Sequence, residues 1–549
     1  MALAFVVGLS AQQTAWSFGQ PWQDIVQPVG VLQVNPPQSA GEVNRYLMSL
    51  DPNITPATFP FDARTDVTRI VTTQNLYFTR IFDPPTGSNA VGSWLVRPAE
   101  LRGMSAQQIR NVLALPAMPK FSAFVIVPAG ITMLTGIAGP IAGWGEGGAN
   151  QSKLIGPPFV PIGNYFNLQA LGDCFLCYRV LAPDGNANRV GAALDRAIAP
   201  AYSSLETLYN NLDMMYYGPA AQRFRDALLS LSGEGATGSQ TVAFANSATF
   251  IDGIRQQATN WVGRSASGVG LWGNLSGASS SLRGDNGSAT LNATGATVQV
   301  GLGHAIDPDV VVGAAIGGSN SGYSVADRFT TGTYNAVSLA LYGVARKENF
   351  YAAGTLSYSH GDTGMTRQVT VNELFNKQQG NFSTDVVGAR IELGLRGAAG
   401  NLSVTPFAAF QPTWLRQGAF SEGLTGASNS LVNMGLNYQS QSVTSLPASL
   451  GLQVDGQIPL EGGWTLSPSL RAAWIYEFQT DRSLQAALAM LPGQSFTVYG
   501  ASAPRNTAQV QLGLTAFDGD RVTGYLTLGA DLSDRGQALQ ARAGLNIAF

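Results

Sequence analysis

The end of the chain constrains its fold most. Leu539, Ala541, Ala543, Leu545, Ile547 and Phe549 alternate with Gln540, Arg542, Gly544, Asn546 and Ala548. A strict two-residue period gives an extended strand one apolar and one polar face. A half-buried strand of a soluble sandwich can show the same alternation. It rarely does so as the final element, stopping on an aromatic residue. The pattern predicts instead a strand with lipid on one face and water on the other.

The pattern recurs from about residue 271 onward. Val387, Ala389, Ile391, Leu393 and Leu395 alternate with Gly388, Arg390, Glu392, Gly394 and Arg396. Leu470, Ala472, Trp474, Tyr476 and Phe478 alternate with Arg471, Ala473, Ile475 and Glu477. Val522, Gly524, Leu526, Leu528 and Ala530 alternate with Thr523, Tyr525, Thr527 and Gly529. The charged residues fall on the non-lipid face each time. Breaks come at 307–309, 347–349, 398–400 and 518–520. About twelve such strands, each needing roughly 9–11 residues to cross a bilayer, fit the remaining length. Closure into an antiparallel barrel then removes the sheet edges that lipid cannot solvate.

Composition agrees with this reading. Charged residues are 12% of the chain, about half of the usual 25%, while mean hydropathy is only +0.07. Polar lumen positions dilute the apolar ones. A net charge of −3 gives no electrostatic footprint for nucleic acid. The stretch 121–144 has no charged residue and is long enough to span a bilayer. It holds Pro128, Gly130, Gly136, Gly139, Pro140 and Gly143, too many breakers for one helix, and reads as two buried strands with loops. Residues 3–9 form a short apolar run before Ser10 and Ala11. This resembles the core and cleavage zone of a secretory signal at 1–18, expected with a truncated start because no Lys or Arg precedes Arg45; the alternative is a buried strand.

Residues 192–231 are rich in Ala, Leu and Arg, with a break at Gly218-Pro219. A second helical run covers 242–261, where Phe250, Ile251, Ile254, Ala258 and Trp261 fall at helical spacing. The order of pieces is "AALD" at 192–195, "LSGEGATGSQTVAFANSATFIDGI" from Leu231, "GLWGNLSG" from Gly270 and the terminal Phe549. This order resembles the translocator of monomeric autotransporters, the type V secretion system. The resemblance implies a Gram-negative outer-membrane protein whose helix 242–261 sits inside the pore. It also implies partners: outer-membrane lipid, the barrel-assembly machinery and periplasmic chaperones. Asn210-Asn211 looks like the asparagine pair at which some members cut themselves, but it lies too far upstream of the first strand.

The expected organisation is therefore multidomain. A signal at 1–18 precedes a small α+β passenger at 19–190. A helical linker with the pore helix follows at 191–262, and the twelve-stranded transmembrane β-barrel occupies 263–549.

The passenger shows no repeat of 20–50 residues, which argues against a β-helical adhesin stalk. The chain has two histidines, His304 and His360, both in the barrel region. The passenger therefore has no Ser-His-Asp triad, Cys-His pair or histidine zinc site. Cys174 and Cys177 form a C-x-x-C with too few ligands for zinc and no βαβ context for redox work. In an exported protein it reads as a small-loop disulfide.

Ser105 followed by Gln107 and Gln108 reads as a helix start with a capping box, ending near Ala114 ahead of Pro116. Extended segments and a glycine-rich loop carrying Gln151 follow. With Thr79-Arg80-Ile81-Phe82 and "GIAGPIAGWGEGGANQ" (136–151), this layout resembles the tuberculosis necrotizing toxin type of domain, which hydrolyses NAD. The resemblance implies that Arg80 grips the dinucleotide phosphates and Gln151 works at the nicotinamide ribose. Gly147 and Gly148 would shape the loop. Phe82 and Trp94 would pack a flat ring. NAD would be the substrate, with no cofactor or metal. Some members use a histidine that this passenger lacks. Glu146 could orient water, although loop carboxylates are usually just solvated. The alternative is a non-catalytic surface adhesin or interaction module displayed by the same barrel.

Overall fold

A strand facing lipid must find its hydrogen-bond partners on neighbouring strands, so its sheet has to close. The computed structural model describes residues 30–84, 89–183, 185–216, 221–261, 268–400, 402–518 and 521–549. In it the carboxy-terminal region closes into the twelve-stranded antiparallel barrel that the alternation predicts. The first strand, Gly268–Leu282, pairs with the last, Gly536–Ala548, from Gly270 opposite Ala548 to Leu282 opposite Gly536. The Phe549 amide adds a bond to the Val269 carbonyl at 2.9 Å.

Side chains sort as the two-residue period requires. Ile391 is 62% exposed beside Glu392 at 1%, and Leu539 is 56% exposed on the strand that buries Arg542 to 5%. The outward face is thus apolar and the inward face polar.

Strands Phe350–Val371 and Leu374–Leu395 run 22 residues each. About 9–11 suffice to cross the bilayer, so this hairpin stands clear of it. One rim has tight turns at 308–309 and 348–349. The other carries longer connections at 283–290, 428–440 and 478–505. Longer loops mark the external rim of such barrels. The last two of these connections supply three strands of a second sheet, Leu436–Tyr438, Ser483–Leu488 and Ser495–Tyr499, which Phe420–Ser421 completes at its edge beside Leu436–Tyr438.

The chain forms two units, one of residues up to Cys177 with Ala197–Ala221, the other of Tyr178–Arg196 with Gln222–Phe549. The expected cut at 190/191 is therefore not where packing divides the chain. Residues 178–190 go with the barrel, and helix Ser204–Tyr216 goes with the amino-terminal unit. The reason is long-range ion pairing inside that unit. Arg97 pairs with Glu206 at 2.7 Å and with Glu100, and Arg102 pairs with Asp213 at 2.7 Å, all of them buried. Arg102 also lies over the Tyr209 ring at 4.5 Å.

The amino-terminal unit is built on a nine-stranded antiparallel sheet. Its order is Val31–Gln33, Asp66–Thr72, Thr132–Ile137, Asn150–Leu154, Trp94–Val96, Leu76–Phe82, Phe121–Val127 and Tyr165–Ala170, with Gln38–Ser39 beside Asp66–Thr72. The apolar stretch 121–144 is indeed two strands and loops. Among the described residues no helix is long and apolar enough to cross a membrane. Phe78, Val125 and Leu95 enter one core cluster, and their sequence neighbours Tyr77, Phe124 and Val96 enter another. Alternation thus loads both faces of the sheet. Helix Ala106–Leu113 packs Ile109, Val112 and Leu113 into the second cluster. It starts at the Ser105 capping box and ends at Ala114, whose φ is +46°. The signal at 1–18 and the break at Gly218-Pro219 lie outside the described residues.

Removing one partner of a buried ion pair strands the other charge. Asp213→Ala is expected to destabilise the amino-terminal unit by about 3–5 kcal/mol, read as a lowered thermal midpoint in near-ultraviolet circular dichroism. The barrel's heat-modifiable gel migration should not change.

Candidate functional site

Closing a sheet with polar inner positions leaves a lumen that must be filled with water or with partners. Helix Gly238–Trp261 fills it, and it carries both kinds of contact. Phe250, Ile254 and Ala258 pack against Trp272, Ala315 and Tyr342 of the wall. Gly317 makes room for Phe250, since a Cβ there would stand 2.7 Å from the ring. The Trp261 side chain lies outside the described residues.

The helix's polar positions meet polar wall positions. Gln240 donates to Gln417 at 3.1 Å, Asn246 accepts from Ser321 at 3.1 Å, and Gln257 donates to Tyr525 at 3.2 Å. Among the described residues, one ion pair ties helix to wall: Asp252 accepts from Arg542 at 2.8 Å while also holding Arg255 on its own helix at 2.8 Å. Arg542 reaches across the closing seam to Ser276 at 2.9 Å. Glu392 gathers Arg390 at 2.6 Å, Arg471 at 2.8 Å and the Tyr351 hydroxyl at 2.8 Å.

Ahead of the helix, the turn at 232–235 is buried. Gly233 takes φ +69°, and a Cβ there would run into Tyr438 and Leu436. Glu234 accepts from Arg328 at 2.9 Å, from Asn186 at 3.2 Å and from the Ala289 amide.

A second site lies within the amino-terminal unit. Strands Leu76–Phe82 and Trp94–Val96 are in register only at Thr79 and Val96. Where they part, a cleft of about 290 Å³ opens, lined by Arg80, Phe82, Trp94, Trp144 and Gln151 among others. The structure thus brings together four residues picked out from sequence. Arg80 donates to the carbonyls of Trp94 at 3.1 Å and Asn89 at 3.3 Å. Among the described residues no carboxylate is ion-paired with it. Gly92 gives it space, because a Cβ there would stand 2.7 Å from the guanidinium. Burial pushes the Arg80 guanidinium below its ordinary value and the nearby Tyr165 phenol above its own. A cation dried in this way is favourably placed to recover solvation from an anionic ligand.

Gln151 differs from its expected setting. It is the second residue of strand Asn150–Leu154, opposite Val96 on one side and Gly136 on the other, rather than part of the loop. Its side-chain amide donates to the Pro60 carbonyl at 2.7 Å. Gly147 and Gly148, at φ +70° and +109°, shape the preceding loop. Their amides donate to Asn111 at 3.0 Å and Ala138 at 2.9 Å, and neither glycine lines the cleft. Glu146 is held by Asn111 and also lies outside the lining. Cys174 and Cys177 are joined in a disulfide, with Phe175 and Leu176 between them in the core and away from the cleft. Sequence reasoning missed Asp83 and Trp144 as cleft residues. No local pattern pointed to Asp83, because three residues on from Arg80 along an extended strand is the opposite face. Among the described residues no cluster of His, Cys, Asp and Glu could hold a metal ion.

Residues 271–529 match the family model of the autotransporter beta-domain. The chain is similar to the translocator domain of autotransporter NalP from Neisseria meningitidis, at 16% identity and TM-score 0.42, over 57% of this chain and 99% of that one. It is similar to the beta domain of the Bordetella autotransporter Brka, at 16% identity and TM-score 0.40, over 51% and 100%. It is also similar to the transport unit of AIDA-I from Escherichia coli, at 14% identity and TM-score 0.35, over 51% and 90%. No curated relative matches the chain.

Asp252 is the carboxylate shared between pore helix and wall. Asp252→Ala leaves Arg255 and Arg542 buried without it, at a cost of about 3–5 kcal/mol. The helix should then leave the lumen more often. In planar bilayers the variant is expected to open more often, and to higher conductance, than the wild type.

Proposed function

We propose that residues 271–529, which match the autotransporter beta-domain model, form the β-domain of an outer-membrane autotransporter, that the amino-terminal unit is its passenger, and that this passenger is an NAD glycohydrolase. What supports the enzymatic reading is that Arg80, Phe82, Trp94 and Gln151 share one cleft.

Each has a task suited to its chemistry. The Arg80 fork carries a charge that pairs with the pyrophosphate. Phe82 and Trp94 offer faces to the flat rings. Gln151 is both donor and acceptor for the ribose diol, and its amide is already oriented by the Pro60 carbonyl. Its place on a strand makes that orientation rigid. Cleavage of nicotinamide from ribose passes through an oxocarbenium-like state, as glycoside hydrolysis does. Nicotinamide leaves as a neutral molecule and needs no protonation. The missing histidine therefore does not forbid the reaction.

The test adds NAD to the full-length protein in detergent and follows free nicotinamide. Wild type should release it. Arg80→Ala should lose at least tenfold in kcat/KM, worth about 1.4 kcal/mol, and Gln151→Ala should lose a comparable amount. No release by wild type leaves the passenger as a non-catalytic adhesin or interaction module.

A further inference from the structure

The cleft has a charge pattern that the resemblance does not explain. Among its described lining residues the charged ones are Arg80 and Asp83, a cation and an anion on one strand and its continuation. Asp83 follows directly on strand Leu76–Phe82, is 5% exposed, and is held by Lys120 at 3.5 Å. Lys120 is itself mostly exposed, so the pair is anchored from the rim of the unit.

A wall with one fixed positive and one fixed negative charge suits a ligand with the opposite pair. NAD is such a ligand: its pyrophosphate is anionic and its nicotinamide ring is cationic. Resting on the glycohydrolase reading above, we propose that Asp83 is the catalytic carboxylate of this cleft, facing the ribose carbon that bears the nicotinamide.

The reaction needs such a group at two points. When the bond between that carbon and the nicotinamide nitrogen breaks, the electron pair goes to the nitrogen. The ring becomes neutral and the positive charge passes to the ribosyl group. A nearby carboxylate stabilises that charge more in the transition state than a neutral side chain does. Water then adds its oxygen to the ribose carbon, and its proton passes to the Asp83 carboxylate and on to solvent. The products are nicotinamide, ADP-ribose and one proton. The unit has no histidine, and Asp83 is the carboxylate among the described lining residues, so the proton goes to it.

The test measures NAD binding and nicotinamide release separately on the full-length protein. Asp83→Asn is expected to lower kcat about 100-fold or more, with NAD affinity within about threefold of wild type. Arg80→Ala should instead weaken NAD binding. Asp83→Asn with wild-type kcat overturns the role of Asp83 while leaving the glycohydrolase reading intact. Asp83→Asn that folds but no longer binds NAD also overturns it, because Asp83 would then be a binding residue. Should Asp83→Asn lose the wild-type near-ultraviolet circular dichroism, Asp83→Glu decides. That variant keeps the charge and should keep at least about a tenth of wild-type kcat; a greater loss overturns the proposal. Wild type that releases no nicotinamide overturns the glycohydrolase reading itself, and this proposal with it.

Discussion

Backbone groups left unsatisfied in hydrocarbon cost several kcal/mol each. The seam between Gly268–Leu282 and Gly536–Ala548 removes that cost, and most of the structure follows from it. With the sheet closed, the two-residue period sends every second side chain inward. The inner wall is then polar by construction, with Asn274, Gln299, Thr527 and Arg542 all buried. A polar lumen calls for a polar filler. That explains why the helix Gly238–Trp261 is neither an apolar membrane span nor a one-sided surface helix. It buries Phe250 and Ile254 together with Gln240, Ser247 and Arg255.

The charges in the lumen are arranged by the same logic. Asp252 from the helix and Glu392 from the wall stand among Arg255, Arg390, Arg471 and Arg542. Buried ion pairs of this kind add less to stability than to position, because desolvation offsets much of the attraction. Arg542 has a double role, binding the helix through Asp252 and the first strand through Ser276. The helix is therefore held next to the seam that closes the sheet.

The barrel was legible because its signal is periodic and long: 387–395 and 470–478 each repeat the alternation several times. The capping box at Ser105 was legible because it spans only four residues, Ser105 to Gln108. What was hidden depends on distant partners. Arg97 with Glu206 and Arg102 with Asp213 are more than a hundred positions apart in sequence, so helix Ser204–Tyr216 read as part of a linker. The second sheet, at the rim with the longer connections, was hidden because its strands are two to six residues long. Gln151 read as a loop residue because the glycines before it carry no sign of where the strand begins. Arg80, Phe82, Trp94 and Gln151 were named from a resemblance. That they line one cleft comes from strand pairing, which local pattern does not record.

The interleaving of the two units has a consequence for how they come apart. The chain passes between them at 177/178, at 196/197 and at 221/222. Cutting the last junction leaves Ala197–Ala221 joined through the stretch before it. Cutting within 178–196 frees residues up to Cys177 covalently but leaves them clasped to Ser204–Tyr216 by Arg97 and Arg102. A single cut after Ala221 frees the amino-terminal unit from the rest of the chain only together with Tyr178–Arg196, which pack with the barrel, so releasing it without that stretch needs scission on both sides of the stretch.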